Sequence, residues 1–254
     1  MSSCASGADG ERSGSATAAS TEPRRLTVRV VATYPHDREA FTQGLLWHDG
    51  SLYESVGQYG RSAVRRVDLV SGEVEREVRL AAHLFGEGLA LVDGVLYQLT
   101  WRAGRGLRWT VGELERREGF TYSGQGWGLC TAGGELVRSD GTARLTFHDA
   151  QDFQLLRTLQ IERAGRPQAN LNELECVDGW IYANVWTTEE IVRIDPANGR
   201  VTAVIDASGL LSDSEREGVD VLNGIAYYPP NRTFLLTGKY WPKLFEVQLV
   251  ESPE

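Results

Sequence analysis

The sequence predicts an all-β fold, a five-bladed β-propeller, on three observations. A short segment recurs five times at a spacing typical of propeller blades. Most copies are followed by Asp-Gly or Gly-Gly, which between apolar runs indicates a tight β-hairpin. An apolar run without a partner stands at each end of the repeat array, so we expect the two ends of the chain to share one blade.

One position of the repeat is a glycine in four copies and a glutamate in the fifth. An aliphatic residue follows it in every copy. The five equivalent positions lie 40 to 51 residues apart and are Gly44, Gly88, Gly128, Glu173 and Gly224. Two copies continue into a third strand and a further turn, so each repeat is expected to supply four strands. A four-stranded repeat of roughly 45 residues is the size of one propeller blade.

Hairpin turns are predicted between the first and second strands of each repeat. Four of them have two residues that tolerate positive φ, as a type I′ turn requires, and they are Asp49-Gly50, Asp93-Gly94, Gly133-Gly134 and Asp178-Gly179. The fifth repeat has Pro229-Pro230-Asn231 at this point instead.

Ring closure is predicted from the two ends. The last repeat stops after residues 245–249 without a fourth strand, whereas the apolar residues 26–31 precede the first repeat. Pairing of these N-terminal and C-terminal strands in one blade would close the ring and remove an exposed edge from each. We therefore expect a single propeller domain over residues 26–250; an open sandwich of similar hairpins is the alternative.

Residues 1–25 are rich in Ser, Ala, Gly and Thr and are expected to form a disordered polar tail. The sequence as given contains no apolar run typical of a signal peptide and no stretch long enough for a transmembrane segment. Cys4 resembles the lipid-bearing first residue of a mature bacterial lipoprotein. We therefore expect an exported bacterial protein, periplasmic or lipoprotein-anchored, although Cys4 can equally be a chance residue of the tail.

Charge and composition exclude several functions. With 26 basic and 35 acidic side chains the net charge is -9, so nucleic acid is not an expected partner. The four histidines and three cysteines have no metal-ligand spacing, and we predict no metal and no cofactor. Cys130 and Cys176 are compatible with two buried free thiols or with one disulfide.

Two sets of equivalent positions are expected to converge on the central channel, because the first strand of every blade lines it. The residue before the repeated Gly or Glu is in turn Gln43, Glu87, Trp127, Asn172 and Asn223. A second register, after the second strand, holds Gly57, Trp101, Gly141, Trp186 and Lys239. Together they predict a concave aromatic pocket with a few polar groups, which is the usual composition of a small-ligand site.

Glu87 is the candidate acid/base of this pocket. Gly86 and Gly88 flank it, so the backbone approaches closely, and aromatic neighbours would desolvate the carboxyl and raise its pKa. A salt bridge between Glu87 and an inward-pointing Lys239 is the alternative.

Seven motifs, in order along residues 41–249, resemble those of the plant-type, zinc-independent glutaminyl-peptide cyclotransferases. They are FTQGL (41–45), FGEGL (85–89), GWGL (126–129), LNELE (171–175), ANVW (183–186), VLNGIAY (221–227) and TGKYWPKLFE (237–246).

The resemblance implies a five-bladed, metal-free enzyme that converts N-terminal glutamine of peptides or proteins to pyroglutamate and releases ammonia. It implies Glu87 as the proton-transfer residue. The substrate pocket would be formed by Phe41, Gln43, Trp101, Trp127, Asn172, Trp186 and Lys239. A monomer is expected.

Two other functions remain open at the level of sequence. The first is a metal-dependent propeller lactonase with Glu87, Asn172 and Asn223 as ligands. The second is a propeller without catalytic activity that binds a protein partner, because the fold alone does not choose a function.

Overall fold

The computed structural model describes Met1 and residues 22–252, and Cys4 and most of the predicted tail lie outside this range. The first strand, β1, spans Arg24–Pro35. Arg24 and Arg25, placed in the tail by their sequence, already pair with Ala203 and Val204. Backbone pairing needs no apolar side chain, so hydropathy gave no sign of this strand start.

The next twelve strands form three separate antiparallel sheets, each made of four consecutive strands in the order of the chain. Blade one consists of β2 (Thr42–His48), β3 (Ser51–Val56), β4 (Ala63–Val67) and β5 (Val74–Arg79). Blade two consists of β6 (Gly86–Val92), β7 (Val95–Thr100), β8 (Arg105–Thr110) and β9 (Arg116–Thr121). Blade three consists of β10 (Leu129–Ala132), β11 (Glu135–Arg138), β12 (Arg144–His148) and β13 (Leu155–Gln160).

A short hairpin, β14 (Glu162–Arg163) and β15 (Arg166–Pro167), precedes the fourth blade. Blade four consists of β16 (Leu171–Val177), β17 (Trp180–Val185), β18 (Glu190–Ile194) and β19 (Val201–Asp206). A 3₁₀ turn at Asp213–Glu215 leads to blade five, which consists of β20 (Leu222–Tyr228), β21 (Thr233–Gly238), β22 (Lys243–Glu251) and β1. Within the described range no helix is long or apolar enough to cross a membrane.

The ring closes as predicted. Strand β1 pairs antiparallel with β22 from Leu26↔Glu251 to Pro35↔Lys243. The first four residues of β1 also pair in parallel with β19, which joins blades four and five into one eight-stranded sheet. The N-terminal strand is thus the outer strand of the last blade, and the prediction of five blades closed by the two termini is confirmed.

The predicted hairpin turns are also confirmed, and their backbone explains the residues used. Asp49 and Gly50 have φ of 45° and 83°, and Asp178 and Gly179 have φ of 51° and 78°. Two consecutive positive φ values define a type I′ turn, which Asp-Gly tolerates and β-branched residues do not.

The repeated glycine serves close packing between the innermost strands of neighbouring blades. A Cβ atom at Gly88 would lie 2.6 Å from both the carbonyl carbon of Gly128 and the carbonyl oxygen of Trp127. The Gly88 amide donates to the same Trp127 oxygen at 2.6 Å. Only a residue without a side chain lets two inner strands approach this closely.

Glu173, the one exception to the repeated glycine, connects three blades at the axis. Its Oε1 accepts from the Leu45 amide at 3.3 Å and its Oε2 from the Ile225 amide at 2.8 Å, so one blade-four side chain pairs with blades one and five. Burial raises the pKa of Glu173 well above its usual range. The glutamate therefore has a role in ring assembly that its place in the repeat did not reveal.

Cys130 and Cys176 form a disulfide, with Cα atoms 5.5 Å apart, between β10 and β16. This decides between the two alternatives that the sequence left open. The bond joins the innermost strands of blades three and four, whose upstream ends are next to Trp127 and Asn172.

Glu175 leads to a prediction about stability and pH. Its Oε2 accepts from the Tyr227 amide at 3.0 Å, and burial raises its pKa to about 7. Since the pKa is higher in the folded than in the unfolded state, the folded state binds the proton more tightly. This contribution to stability is complete below the unfolded pKa and is lost as pH rises through the folded value. We therefore expect Glu175→Gln to reduce the fall in melting temperature between about pH 5 and pH 8.

Thermal denaturation followed by circular dichroism measures this effect. Glu118→Gln, an exposed glutamate on β9, is the matched control and should keep the wild-type pH dependence. Identical pH dependence in wild type and Glu175→Gln would show that Glu175 is ionised at no cost to the fold.

Candidate active site

A cavity of about 320 Å³ opens at one end of the central channel, where the innermost strands begin. All eight residues predicted to form the site line it. The full lining is Phe41, Gln43, Phe85, Glu87, Trp101, Trp127, Asn172, Trp186, Thr187, Asp220, Val221 and Lys239.

Four lining residues were missed by sequence reasoning. Phe85 precedes Glu87 by two positions, just as Phe41 precedes Gln43, and this equivalence was a usable signal. Thr187 follows Trp186 directly. Asp220 and Val221 lie in the connection before β20, and no repeat position indicates them.

Glu87 lies near the start of β6 and is 3% exposed. Its Oε2 is buried and has no hydrogen-bond partner among the described residues. Burial raises the pKa of Glu87 well above its usual range, while the charge of Lys239 and the Gln43 amide oppose the rise. A buried carboxyl group that lines a cavity and has a raised pKa is suited to accept and return a proton.

Lys239 follows the end of β21, and its backbone amide donates to the Val221 carbonyl at 3.0 Å. Its Nζ lies 4.7 Å from the centroid of the Phe41 ring, a cation–π distance. Burial lowers the pKa of Lys239, and the charges of Glu87 and Asp220 oppose this. Among the described residues Glu87 Oε2 has no hydrogen-bond partner, so Lys239 forms no hydrogen bond with that oxygen.

The amide groups are oriented by contacts behind the cavity. Asn223 Nδ2 donates to Gln43 Oε1 at 3.1 Å and to the Thr42 carbonyl at 3.0 Å. With its oxygen engaged in this way, Gln43 presents its Nε2 group as a donor. Asn172 has a buried Oδ1 without a hydrogen-bond partner in the part of the chain that the structure describes. Asn223, expected at the same register as Gln43, thus does not line the cavity but holds Gln43.

Aromatic rings form the walls. Trp127 and Trp186 meet edge to face at a centroid distance of 5.5 Å, and Phe85 lies 5.6 Å from Trp101. The two glycines of the second register make room for these rings. A Cβ at Gly57 would overlap the Phe85 ring, with Cζ at 2.9 Å, and one at Gly141 would lie 2.7 Å from the Trp127 ring.

Gln125 fixes two of the walls at once. Its Oε1 accepts from Trp101 Nε1 at 2.7 Å and from Trp127 Nε1 at 3.1 Å. Both indole N–H groups are thereby satisfied outside the cavity, and the two rings are held at a set separation. Gln125 precedes Trp127 by two positions, as Phe41 precedes Gln43 and Phe85 precedes Glu87, so its place in the repeat was a signal that sequence reasoning did not use.

We expect Gln125→Leu to raise KM about tenfold with a smaller change in kcat, because the loss of two hydrogen bonds lets both rings move. Steady-state kinetics and the tryptophan emission maximum measure the effect. Gln125→Glu keeps an acceptor oxygen and should restore both readouts toward wild type. Equal defects in the two variants would show that bulk at this position, rather than the acceptor, matters.

The described residues include no group of three or more His, Cys, Asp or Glu side chains arranged to hold a metal ion. The polar groups of the cavity are instead one carboxyl, two amides and one ammonium in its interior, with a second carboxyl at its edge. Such a set can hold an ammonium group and a carboxamide while a proton is moved between them.

The chain is similar in sequence and in structure to several known proteins. The model of the glutamine cyclotransferase family matches residues 4–249. A glutaminyl-peptide cyclotransferase of Arabidopsis thaliana is 40% identical over 231 residues, covering 89% of this chain and 72% of the relative. The crystal structure of Myxococcus xanthus glutaminyl cyclase superposes with a TM-score of 0.83 at 42% identity, over 91% of this chain and 100% of that one. The Neurospora crassa Pan2 WD40 domain, at 7% identity and a TM-score of 0.51 over 84% of this chain and 76% of its own, shares the fold alone.

Proposed function

Because the chain belongs to the glutamine cyclotransferase family, we propose that it converts N-terminal glutamine of peptides and proteins to pyroglutamate, with Glu87 as general base and acid. One observation carries the assignment of Glu87: it is a buried carboxyl group with an unpartnered oxygen and a raised pKa, inside an aromatic cavity. No other carboxylate among the cavity residues is buried.

The reaction joins two groups of one residue. The α-amine attacks the γ-carboxamide carbon, a C–N bond forms, the bond to the leaving nitrogen breaks, and a five-membered lactam and ammonia result. The glutamine side chain must fold back on itself for this attack. Rigid aromatic walls at Trp101, Trp127 and Trp186 favour that compact form, and proximity of the reacting atoms supplies much of the acceleration.

Proton transfer is assigned to Glu87. A free α-amine has a pKa of about 7.7 to 8.0, so near neutrality most of it is protonated and not nucleophilic. The free amine is the nucleophile. As it attacks, the Glu87 carboxylate accepts one of its protons, and the Glu87 carboxyl then donates that proton to the departing nitrogen, which leaves as ammonia. The raised pKa of Glu87 assists the second transfer.

Negative charge develops on the γ-carbonyl oxygen during attack. Gln43 Nε2 and the Lys239 ammonium are the donors we assign to it, because the Gln43 oxygen is already engaged by Asn223. Asn172 Oδ1, buried and unpartnered, is the acceptor we assign to a substrate N–H group.

The pH dependence of activity follows from these charges. Ionised Glu87 is the base, so kcat/KM should rise with pH through the raised pKa of Glu87. The Lys239 ammonium lowers that pKa, and its removal in Lys239→Met should shift the acidic limb of the profile to higher pH. A profile that keeps its midpoint in this variant, whatever its height, would contradict electrostatic coupling of the two groups.

We propose further that the enzyme acts as a monomer and is exported. The cavity is enclosed by residues from all five blades of the ring, so it is complete without a residue from a second copy, which supports the first point. The Cys130–Cys176 disulfide supports the second, because disulfides persist in oxidising compartments such as the periplasm.

Ammonia release from a short peptide that begins with glutamine tests the proposed activity, with and without a strong chelator. The same peptide with an acetylated amine is the control and should release none. Chelator-resistant release, with a mass loss of one ammonia, is the expected result. Release that the chelator abolishes would favour the lactonase-type metal site, and no release would favour a binding propeller.

The arrangement of the amides argues against the lactonase alternative. That site would need Glu87, Asn172 and Asn223 around one ion. Asn223 is not among the residues that line the cavity with Glu87 and Asn172.

A further inference from the structure

The residues that line the cavity differ in how far they are buried, which distinguishes its interior from its rim. Gln43, Glu87, Asn172 and Lys239 are all 4% exposed or less, whereas Trp186, Thr187 and Asp220 are the exposed lining residues. The buried groups are those assigned to the N-terminal glutamine itself. The three exposed residues therefore form the rim of the cavity. The rest of a peptide substrate must extend past this rim into solvent.

Asp220 is the charged residue of this rim. We propose that Asp220 forms a subsite for the second residue of the substrate and favours a cationic side chain, lysine or arginine, over an anionic one. The proposal rests on the proposed function, since it assumes that a peptide's N-terminal glutamine occupies the cavity.

Asp220 is held firmly although it is exposed. Its amide donates to the Lys239 carbonyl at 2.9 Å, and its carbonyl accepts from Trp241 Nε1 at 2.9 Å. Its Oδ1 accepts from the Val221 amide at 2.6 Å. A carboxylate that is held by the amide of the next residue gives a peptide side chain a defined partner at little entropic cost.

The charges around Asp220 leave it available for a ligand. Arg216 and Lys243, the cations on the flanking segments, are each paired with a glutamate, Glu189 and Glu215. The interior cation Lys239 is shared with Glu87, since both carboxylates act on its pKa. The side chain of a substrate's second residue would therefore meet the negative charge of Asp220 first.

The test compares kcat/KM for three peptides that differ only at the second residue: Gln-Lys, Gln-Leu and Gln-Glu, each continued by the same neutral residues. An exposed charge pair changes an equilibrium by up to about fivefold, so a gain for lysine and a loss for glutamate should give a Lys-to-Glu ratio of about ten. In Asp220→Asn this ratio should fall toward one. The ratio in wild type should also shrink as salt is added, because salt screens exposed charges.

Asp93→Asn is the matched control. Asp93 lies in the β6–β7 turn at the opposite end of the inner strand, and its change alters the net charge equally. It should leave the ratio unchanged, which separates a local subsite from the field of the whole protein.

The outcomes are distinguishable from failure of the proposed function. If wild type cyclises none of the three peptides, including the uncharged Gln-Leu, the proposed function is wrong. A Lys-to-Glu ratio near one in wild type, or an unchanged ratio in Asp220→Asn, overturns the subsite alone. An equal loss on all three peptides would make Asp220 a residue that positions Lys239, and would also overturn it.

Discussion

Glu87→Gln is expected to lower kcat for ammonia release by about a hundred- to ten-thousandfold, the usual contribution of a general acid/base. Glutamine has nearly the same shape but does not accept a proton near neutrality. The Glu87 Oε2 atom has no hydrogen-bond partner to lose, so the folded structure should tolerate the change. Steady-state ammonia release, measured at saturating substrate, gives the effect directly.

The same variant should be at least as stable as wild type above neutral pH. The pKa of Glu87 is raised on folding, so its ionisation in the folded state costs stability as pH rises, and a neutral amide escapes this cost. Glu118→Gln on the exposed face of β9 is the control for both measurements. Near-wild-type turnover in Glu87→Gln would remove Glu87 from its assigned role.

Gly88→Ala is expected to cause a large loss of stability although it adds only a single methyl group. The new Cβ would lie 2.6 Å from backbone atoms of Trp127 and Gly128. No side-chain rotation relieves contacts with backbone, so the innermost strands of blades two and three must separate. We expect a loss of about 3 kcal/mol or more in the free energy of unfolding. For a chain of this size this corresponds to a melting temperature lower by roughly 6 to 12 °C.

Gly50→Ala separates this clash from ordinary glycine effects. Gly50 has φ of 83° with no neighbouring atom within 4 Å of an added Cβ, so its substitution strains only the local backbone, at about 1 to 2 kcal/mol. Gly88 does not have a positive φ, so its substitution by alanine introduces only the close contact with backbone atoms. Chemical denaturation of the two variants therefore compares the two causes. A smaller loss for Gly88→Ala than for Gly50→Ala would contradict close strand packing at the axis.

Much of the site was accessible from the sequence because a propeller repeats. A position that recurs in every blade must point to the same axis, so the register that holds Gln43 and Glu87 and the one that holds Trp101 and Lys239 converge on one cavity without any knowledge of coordinates. The same reasoning explains why the prediction that Asn223 lines the cavity was wrong. Register places a residue at the axis but does not decide whether its side chain faces the cavity or a neighbouring side chain.

Residues outside the repeat were not accessible in this way. Asp220 lies on a connection whose length differs between blades, and its position depends on how that connection crosses the face of the ring. The hydrogen bond from its amide to the Lys239 carbonyl joins two residues that no repeat spacing relates.

The sequence by itself determined the five blades, the type I′ turns, the closure by β1 and β22, and the residues that face the axis. These properties follow from the residues of the turns and from the regular period of the repeat, and both can be read from the amino-acid sequence. The tertiary structure alone decided that Cys130 and Cys176 are bonded, that Glu173 joins three blades, and that Glu87 keeps a free buried oxygen. Each of these depends on distances between different blades, which are set only when the inner strands pack around their common axis.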